Sequence, residues 1–429
     1  MSSRYLESEK HLQRTLKTIP LGSQTFSKSI TQYPLGVSPL YIEKGFGSKV
    51  IDVDGNEYID FVNGLASITL GYCDKDIDQA VIEQLKNGVT FSLPHKLEAI
   101  VAEKIINLVP SAEKVRFGKN GSDATSGAIR IARAFTGRDD VAVCGYHGWQ
   151  DWYIGSTSRN LGVPTVTQKL THKFEYNNID SLKLLFEDNK GKIAAVIMEP
   201  MNVEFPKDNF LENVKKIAHE NGAVLIFDET ITGFRFSTGG AQEYFNVIPD
   251  LSTFGKGLAN GYALSAIAGR NDIMKKMEDV FFSGTFGGET LSLAAASAVL
   301  DKITNEGILS EIAEKGVWLL NKLDALIKEN KFEQYYETAG HPTWSFLLIR
   351  PGINSSDSEM KTLFLQEMFK RGILTLGSHN LSSAHSYKDL EQLINTYEEV
   401  LSILVDADKK GIVKNLLDCS PLIPLFKVR

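Results

Sequence analysis

Two unbroken apolar runs, "AAVIM" (194–198) and "AVLIF" (223–227), flank a stretch with helical spacing, "NFLENVKKIAHENG" (209–222), which ends on Asn-Gly. A strand that is apolar on both faces has to be covered on both faces. Strand, amphipathic helix and strand in that order therefore predict a mostly parallel sheet with helices on either side, an α/β fold. The same alternation runs from about residue 75 to 300. It includes "HKLEAIVAEKIINLVP" (95–110), with Leu97, Ile100, Val101, Ile105 and Leu108 on one side, and "SDATSGAIRIARAFTG" (122–137), which reads as opening on a Ser/Asp cap and stopping at Gly137.

The flanks read differently. Residues 38–61 alternate in short runs broken by Gly45, Gly47 and Asp54-Gly55, which predicts a small β-meander. Beyond 300 come a long helical pattern (305–330), a strand "TWSFLLIR" (343–350) and helices near 357–371 and 387–408. The expected division is an N-terminal segment 1–74, a large domain 75–300 and a smaller α+β domain 301–429, in line with roughly two or three domains for 429 residues. A net charge of −7 speaks against a general nucleic-acid surface. Cys73, Cys144 and Cys419 lie too far apart in sequence to suggest a disulfide framework or a metal site. The charged start "MSSRYLESEKHLQR" has no apolar core, and no apolar run approaches the length of a bilayer span. The expectation is a soluble, cytoplasmic protein that takes no metal.

Three features fall where α/β enzymes keep their sites, beyond the carboxyl ends of strands. In "FGKNGSDATSGAIRIAR" (117–133) a glycine turn opens a capped helix, a place for an anion and equally an ordinary capped helix. Asp228 ends the run "AVLIFD", where a partly desolvated carboxylate needs a cation: a protonated ring nitrogen or a structural ion pair would serve. Lys256 sits in "STFGKGLANGYALS" (252–265) between two glycines; alone, it would be read as a solvated surface charge. Together, an anion cup, a carboxylate and an amine match pyridoxal 5'-phosphate (PLP), which needs a phosphate grip, a partner for its pyridinium nitrogen and a Schiff-base lysine. A dinucleotide-binding oxidoreductase is disfavoured because the turn lacks the G-x-G-x-x-G spacing.

The sequence resembles the class III (fold-type I) PLP-dependent aminotransferases, and most closely the branch containing glutamate-1-semialdehyde aminomutase. The resemblance spans roughly 20–405. It is carried by "VIDVDGNEYIDF" (50–61), "NGSDATSGAIRIARAFTGRD" (120–139), "GYHGW" (145–149), "AAVIMEP" (194–200), "LIFDETITGFR" (225–235), "PDLSTFGKGLANG" (249–261), "GTFGGETLSLAAA" (284–296) and "LSSAH" (381–385). It implies a seven-stranded, mostly parallel sheet in the large domain, and a small domain built from both ends of the chain. It also implies that Lys256 forms the Schiff base and moves the proton. Asp228 would pair with the ring nitrogen, Gly121 and Ser122 hold the phosphate, Tyr146 stack on the ring, and Thr230 pack on its other face. His147 would belong to the cofactor site in a packed or capping role. Thr285 would reach the phosphate of a neighbouring subunit, which implies a homodimer with shared active sites. Glu229 would support from behind.

The departures concern substrate. The family's "GGNP" is here "GGET" (287–290), so Glu289 is expected at the site entrance and in contact with substrate. Thr25, in "LGSQTFSKS" (21–29), aligns with a substrate-contacting serine segment of the aminomutases. After residue 300 the arginines are Arg350, Arg371 and Arg429, with none in "GSHNLSSAH" (377–385), where a substrate carboxylate would be sought. Trp149, Trp152 and Tyr153 form an aromatic group suited either to a sugar or to a neighbouring helix. The expected activity is amino transfer from a donor such as glutamate to a carbonyl acceptor, with sugar or surface-polysaccharide precursors as one association of the resemblance. The alternative is intramolecular transfer of the aminomutase type.

Overall fold

The computed structural model describes residues 3–423. The chain forms two compact units: one from the described residues of Met1–Leu65, Leu70–Asp74 and Ser310–Lys427, the other from Ala66–Thr69 and Lys75–Leu309.

The larger unit is built on seven strands: β1 (Lys114–Gly118), β2 (Asp140–Cys144), β3 (Thr171–Lys173), β4 (Ile193–Met198), β5 (Val224–Asp228), β6 (Leu251–Phe254) and β7 (Ser265–Gly269). Their order in the sheet is β1-β7-β6-β5-β4-β2-β3. Only β7 runs against its neighbours. The apolar runs explain the layering. Along β4 and β5, Ala195, Ile197, Val224 and Ile226 face one core together with helix α1 (Gly121–Thr136). The intervening Val196, Met198, Leu225 and Phe227 face a second core with helix α2 (Phe210–Glu220). Successive strand side chains point to opposite faces, so a run apolar at every position is what a sheet covered on both sides requires. Each fully buried Val, Leu, Ile or Phe contributes roughly 1.5–3 kcal/mol.

Helix α1 begins one residue earlier than the Ser/Asp cap predicted, and the cap is different. Asn120 is the N-cap, and Asp123 closes a capping box by accepting the Asn120 N–H at 2.8 Å. Asn is as good a cap as Ser or Asp, and with Asp123 three residues on, the box is the stronger signal. The helix ends on Gly137 in the left-handed conformation, as predicted.

In the smaller unit the meander is present as Ile42–Phe46, Lys49–Asp52 and Glu57–Asp60, antiparallel, with Ile373–Leu374 added parallel to the last strand. A second antiparallel sheet joins Tyr336–His341, Trp344–Ile349 and Ser378–Asn380. Helices Asp357–Lys370 and Tyr387–Lys409 start on serine capping boxes at Ser356 and Ser386. Among the described residues, no helix is long and apolar enough to cross a membrane.

Candidate active site

Asp228 closes β5 at the carboxyl edge of the large sheet and is buried. Its Oδ1 accepts from the Thr230 hydroxyl at 2.5 Å, the Thr230 N–H at 3.2 Å and the Thr253 hydroxyl at 3.0 Å. Its Oδ2 faces His147 Nδ1 at 2.9 Å. Burial alone would push this carboxyl up, but the bonds from His147, Thr230 and Thr253 outweigh it and hold the group below the usual carboxylate range. Asp228 is therefore an ionised carboxylate in a dry place.

His147 is fully buried, and its Nε2 lies 3.1 Å from the Cys144 carbonyl oxygen. An acceptor therefore faces each ring nitrogen, and the imidazole links Asp228 to the end of β2, beyond the packing or capping role that the resemblance implies.

The anion cup is formed from the first turn of α1. N–H groups at a helix N-terminus point outward and favour negative charge. Ser122 Oγ accepts the Trp149 N–H at 3.4 Å, and Thr125 Oγ1 donates to the His147 carbonyl at 2.8 Å, so this turn is tied to the "GYHGW" loop. A methyl placed on Gly121 would lie 3.0 Å from Thr230 Cγ2, and one on Gly255 would lie 3.4 Å from the same atom. Gly121, Thr230 and Gly255 therefore converge, which brings together the helix turn, the end of β5 and the residue before Lys256.

Lys256 opens a tight turn, Lys256–Ala259, and is half-buried. Its φ of 44° is left-handed. For a residue with a side chain that conformation costs roughly 1–2 kcal/mol and persists only where the surroundings impose it. Tyr146 is half-buried at the same edge; its N–H donates to Glu199 Oε2 at 3.0 Å, and its ring meets Tyr153 edge-on at 5.6 Å.

Other expected residues are exposed or engaged with partners of their own. Glu289 was expected to contact substrate. It caps the helix Thr290–Asn305: Oε1 accepts the Leu291 N–H at 2.7 Å, and Oε2 accepts the Ser292 hydroxyl at 2.6 Å and an ion pair from Lys119 at 2.9 Å. Burial would raise its carboxyl, but Ser292, Lys119 and Leu291 together hold it low. A glutamate whose two oxygens are so engaged is a structural cap, and it ties the "GGET" segment to the residue before Asn120. Thr285 is exposed in a turn, and Thr25 is exposed in the smaller unit, ahead of the short turn Phe26–Lys28. Glu229 is fully buried and accepts from the Ala241 and Gln242 N–H groups at 2.6 and 2.9 Å and from Thr232 at 2.7 Å. Burial pushes its carboxyl up. It anchors a helix start behind the site.

Of the aromatic group, Trp152 and Tyr153 belong to the core against α1, with Trp152 Nε1 on Ser126 Oγ at 2.9 Å, whereas Trp149 is 65% exposed. Arg350 pairs with Glu337, and Arg371 pairs with Glu367 and Glu399. Arg429 lies outside the described residues. One residue that site reasoning passed over is Arg235. It is fully buried, and burial pushes its guanidinium down to about 10, so it stays charged at neutral pH.

An ionised carboxylate, a helix N-terminus with a hydroxyl beside it, and a lysine converging through bare glycines are a donor set that fits PLP. Comparison with known proteins agrees. The family described as Aminotransferase class-III matches residues 33–381. The chain is 35% identical over 382 residues to a 3-aminobutyryl-CoA aminotransferase of Cloacimonas acidaminovorans, covering 87% of this chain and 91% of the relative. It is 33% identical to a glutamate-1-semialdehyde 2,1-aminomutase of Methanosphaera stadtmanae, covering 89% and 98%. Among solved structures, an omega-transaminase from Sphaerobacter thermophilus superposes with a TM-score of 0.85 at 25% identity, covering 94% of this chain and all of that one. The FumI protein of Sphingopyxis sp. MTA144, in its PLP internal aldimine form, gives 0.86 at 26% identity, covering 98% and 99%. The sheet order and the site lie within one family: this chain is a class III aminotransferase with the fold-type I architecture, and its cofactor is pyridoxal 5'-phosphate.

Proposed function

We propose that the chain transfers an amino group through its cofactor, with Lys256 as the Schiff-base and proton-moving residue, Asp228, Tyr146, Gly121, Ser122 and Thr230 holding the cofactor and His147 holding Asp228. Bound PLP supplies an aldehyde that takes up the donor's amino group and a ring that absorbs the electron pair left at Cα. The chain's own residues do the rest. The Lys256 amine would hold the cofactor and, when free, would carry the proton away from Cα. The Asp228 carboxylate, kept ionised by its three hydroxyl and imidazole donors, pairs with a protonated ring nitrogen. The Gly121–Ser122 turn would take the phosphate, and Tyr146 and Thr230 would pack against the ring. The observation that carries this reading is the convergence of Gly121, Thr230 and Gly255 beside an ionised Asp228.

The donor is an amino acid such as glutamate, and the acceptor is a separate carbonyl compound. An acceptor with a flat or sugar face finds support in Trp149, exposed and bonded through its N–H to Ser122. The second reading, intramolecular transfer, is favoured by the aminomutase relatives. Thr285, exposed in a turn with Phe286 and near Phe281 in sequence, serves the site of a second copy in a homodimer; exposed Phe281 and Phe286 suit burial against that copy. The compartment is the cytoplasm, in keeping with three cysteines that are all unpaired.

Half-reactions separate the two activities. Glutamate alone should convert the cofactor spectrum to the amine form, and a panel of keto sugars, keto acids and β-keto thioesters should restore it. Sustained turnover of one substrate with no added donor would sink the transferase reading.

A further inference from the structure

The turn that follows Asp228 braces the Lys256 turn at several points. Thr230 sits against Gly255. Phe234, itself left-handed at φ 56°, lays its ring 5.1 Å from that of Phe254, two residues before Lys256. The next residue, Arg235, sends Nη2 to the Ala66 carbonyl at 3.3 Å and to Thr69 Oγ1 at 3.4 Å.

Ala66–Thr69 is a short strap: it belongs to the larger unit, although the residues before and after it belong to the smaller one. A methyl on Gly257 would lie 2.5 Å from Thr69 Oγ1, and one on Gly261 would lie 2.7 Å from Ile68 Cδ1. The strap therefore presses on the backbone at both ends of the Lys256 turn, and the space beside Gly257 is filled by Thr69. The chain reaches the strap through four left-handed residues, Asn63, Gly64, Leu65 and Ala66, with φ of 51°, 59°, 60° and 65°. Such a run does not persist unless something holds its end.

We propose that Arg235 is a positioning residue for Lys256, acting through Thr69: the buried guanidinium clamps the Ala66–Thr69 strap, and Thr69 packs the Lys256 turn into its left-handed conformation. This rests on the reading that Lys256 carries the cofactor. The planar guanidinium suits the task because it reaches two oxygens from one rigid fork, which an ammonium on a flexible stem does not.

The test uses PLP-loaded wild type, Arg235→Lys, Thr69→Val and Thr69→Ser. Thr69→Val keeps the volume and removes the acceptor; Thr69→Ser keeps the hydroxyl. Three quantities are read: the midpoint of the pH titration of the cofactor's visible band, kcat and KM separately, and the urea midpoint. A displaced lysine changes the electrostatic surroundings of the cofactor, which moves the titration midpoint. Arg235→Lys and Thr69→Val should lower kcat about tenfold, leave KM within about twofold and shift the titration midpoint, with Thr69→Ser close to wild type. Soluble Thr69→Val with wild-type midpoint and kcat would overturn the proposal. So would variants that lose only stability, or that fail to fold while Thr69→Ser is normal, because the contact would then be structural. Borohydride trapping on wild type keeps the two claims apart. Cofactor on another lysine would sink the underlying reading, whereas cofactor on Lys256 with an unmoved midpoint in Thr69→Val sinks this inference alone.

Discussion

Two motifs, "GYHGW" and "LSSAH", each bury a histidine, and the two rings meet different hydrogen-bond partners. His385 accepts the Ser382 N–H on Nδ1 at 3.0 Å and donates Nε2–H to the Asp60 carbonyl at 3.2 Å. One nitrogen accepts and the other donates, so the ring is neutral, and burial pushes it down to about 4. His147 meets only acceptors, Asp228 Oδ2 and the Cys144 carbonyl. Both rings are fully buried. Burial is thus the same in the two regions, and what differs is the set of neighbours that each ring bonds. The Ser382–His385 pair, 2.9 Å apart, has the look of a nucleophile and its base, but both residues are sealed in the smaller unit and their bonds close a turn. The His147–Asp228 pair stands at a sheet edge beside a helix N-terminus and the Lys256 turn. A histidine next to an oxygen donor or acceptor is chemically informative only once the direction of each bond is known.

Substitutions can break this contrast. The largest effect is expected from Lys256→Ala. The fold should survive, as circular dichroism would show, while kcat for any donor and acceptor pair falls about 10³–10⁴-fold. Next, His147→Gln removes the imidazole partner of the Asp228 carboxylate. Charge-assisted hydrogen bonds contribute about 1.5–3 kcal/mol, so kcat should drop about 10- to 100-fold, with a change in the cofactor's absorption. His385→Gln should do the opposite. It should lower the urea-derived stability by about 1–3 kcal/mol while leaving kcat per folded molecule unchanged. Turnover lost from folded His385→Gln would erase the distinction between the two regions.

The pH dependence sharpens the same comparison. His385 has a folded-state value of about 4 against 6.5 for a free imidazole, so between those values the unfolded chain binds the proton and the native state does not. Its contribution is present above 6.5 and is lost as the pH falls towards 4. Stability should therefore rise with pH across that window, and the slope measured by urea melts should flatten in His385→Gln. The smallest effect is expected from Glu289→Gln, which weakens one helix cap and the Lys119 ion pair. We expect about 1 kcal/mol of stability lost in urea melts and little change in KM, because the side chain caps a helix.

Much of this was legible in the sequence because local physics carried it. The unbroken apolar runs of β4 and β5 could only be strands covered on both faces, and Gly137 marked the end of α1. Asp228 at a strand end and Lys256 between glycines pointed to the site edge. What was not legible depended on distant parts of the chain. Glu289 reads as an entrance residue because it stands where the family has "GGNP", and its cap is held by Lys119, far away in sequence. Thr230 and Thr69, which stand beside the glycines flanking Lys256, both come from distant parts of the chain. Arg235 ends a motif that draws the eye to Asp228, and its contacts at Ala66 and Thr69 follow from tertiary folding alone. The strand Ile373–Leu374 is too short to show a pattern, and only its pairing with Glu57–Asp60 defines it.

The central claim is that this sheet edge works through Lys256. It is tested most directly by reducing the PLP-loaded protein with borohydride, digesting it and mapping the modified peptide by mass spectrometry. One modified residue, Lys256, is expected, with no covalently retained cofactor in Lys256→Ala. Cofactor on a different lysine, or cofactor retained covalently in Lys256→Ala, would contradict it.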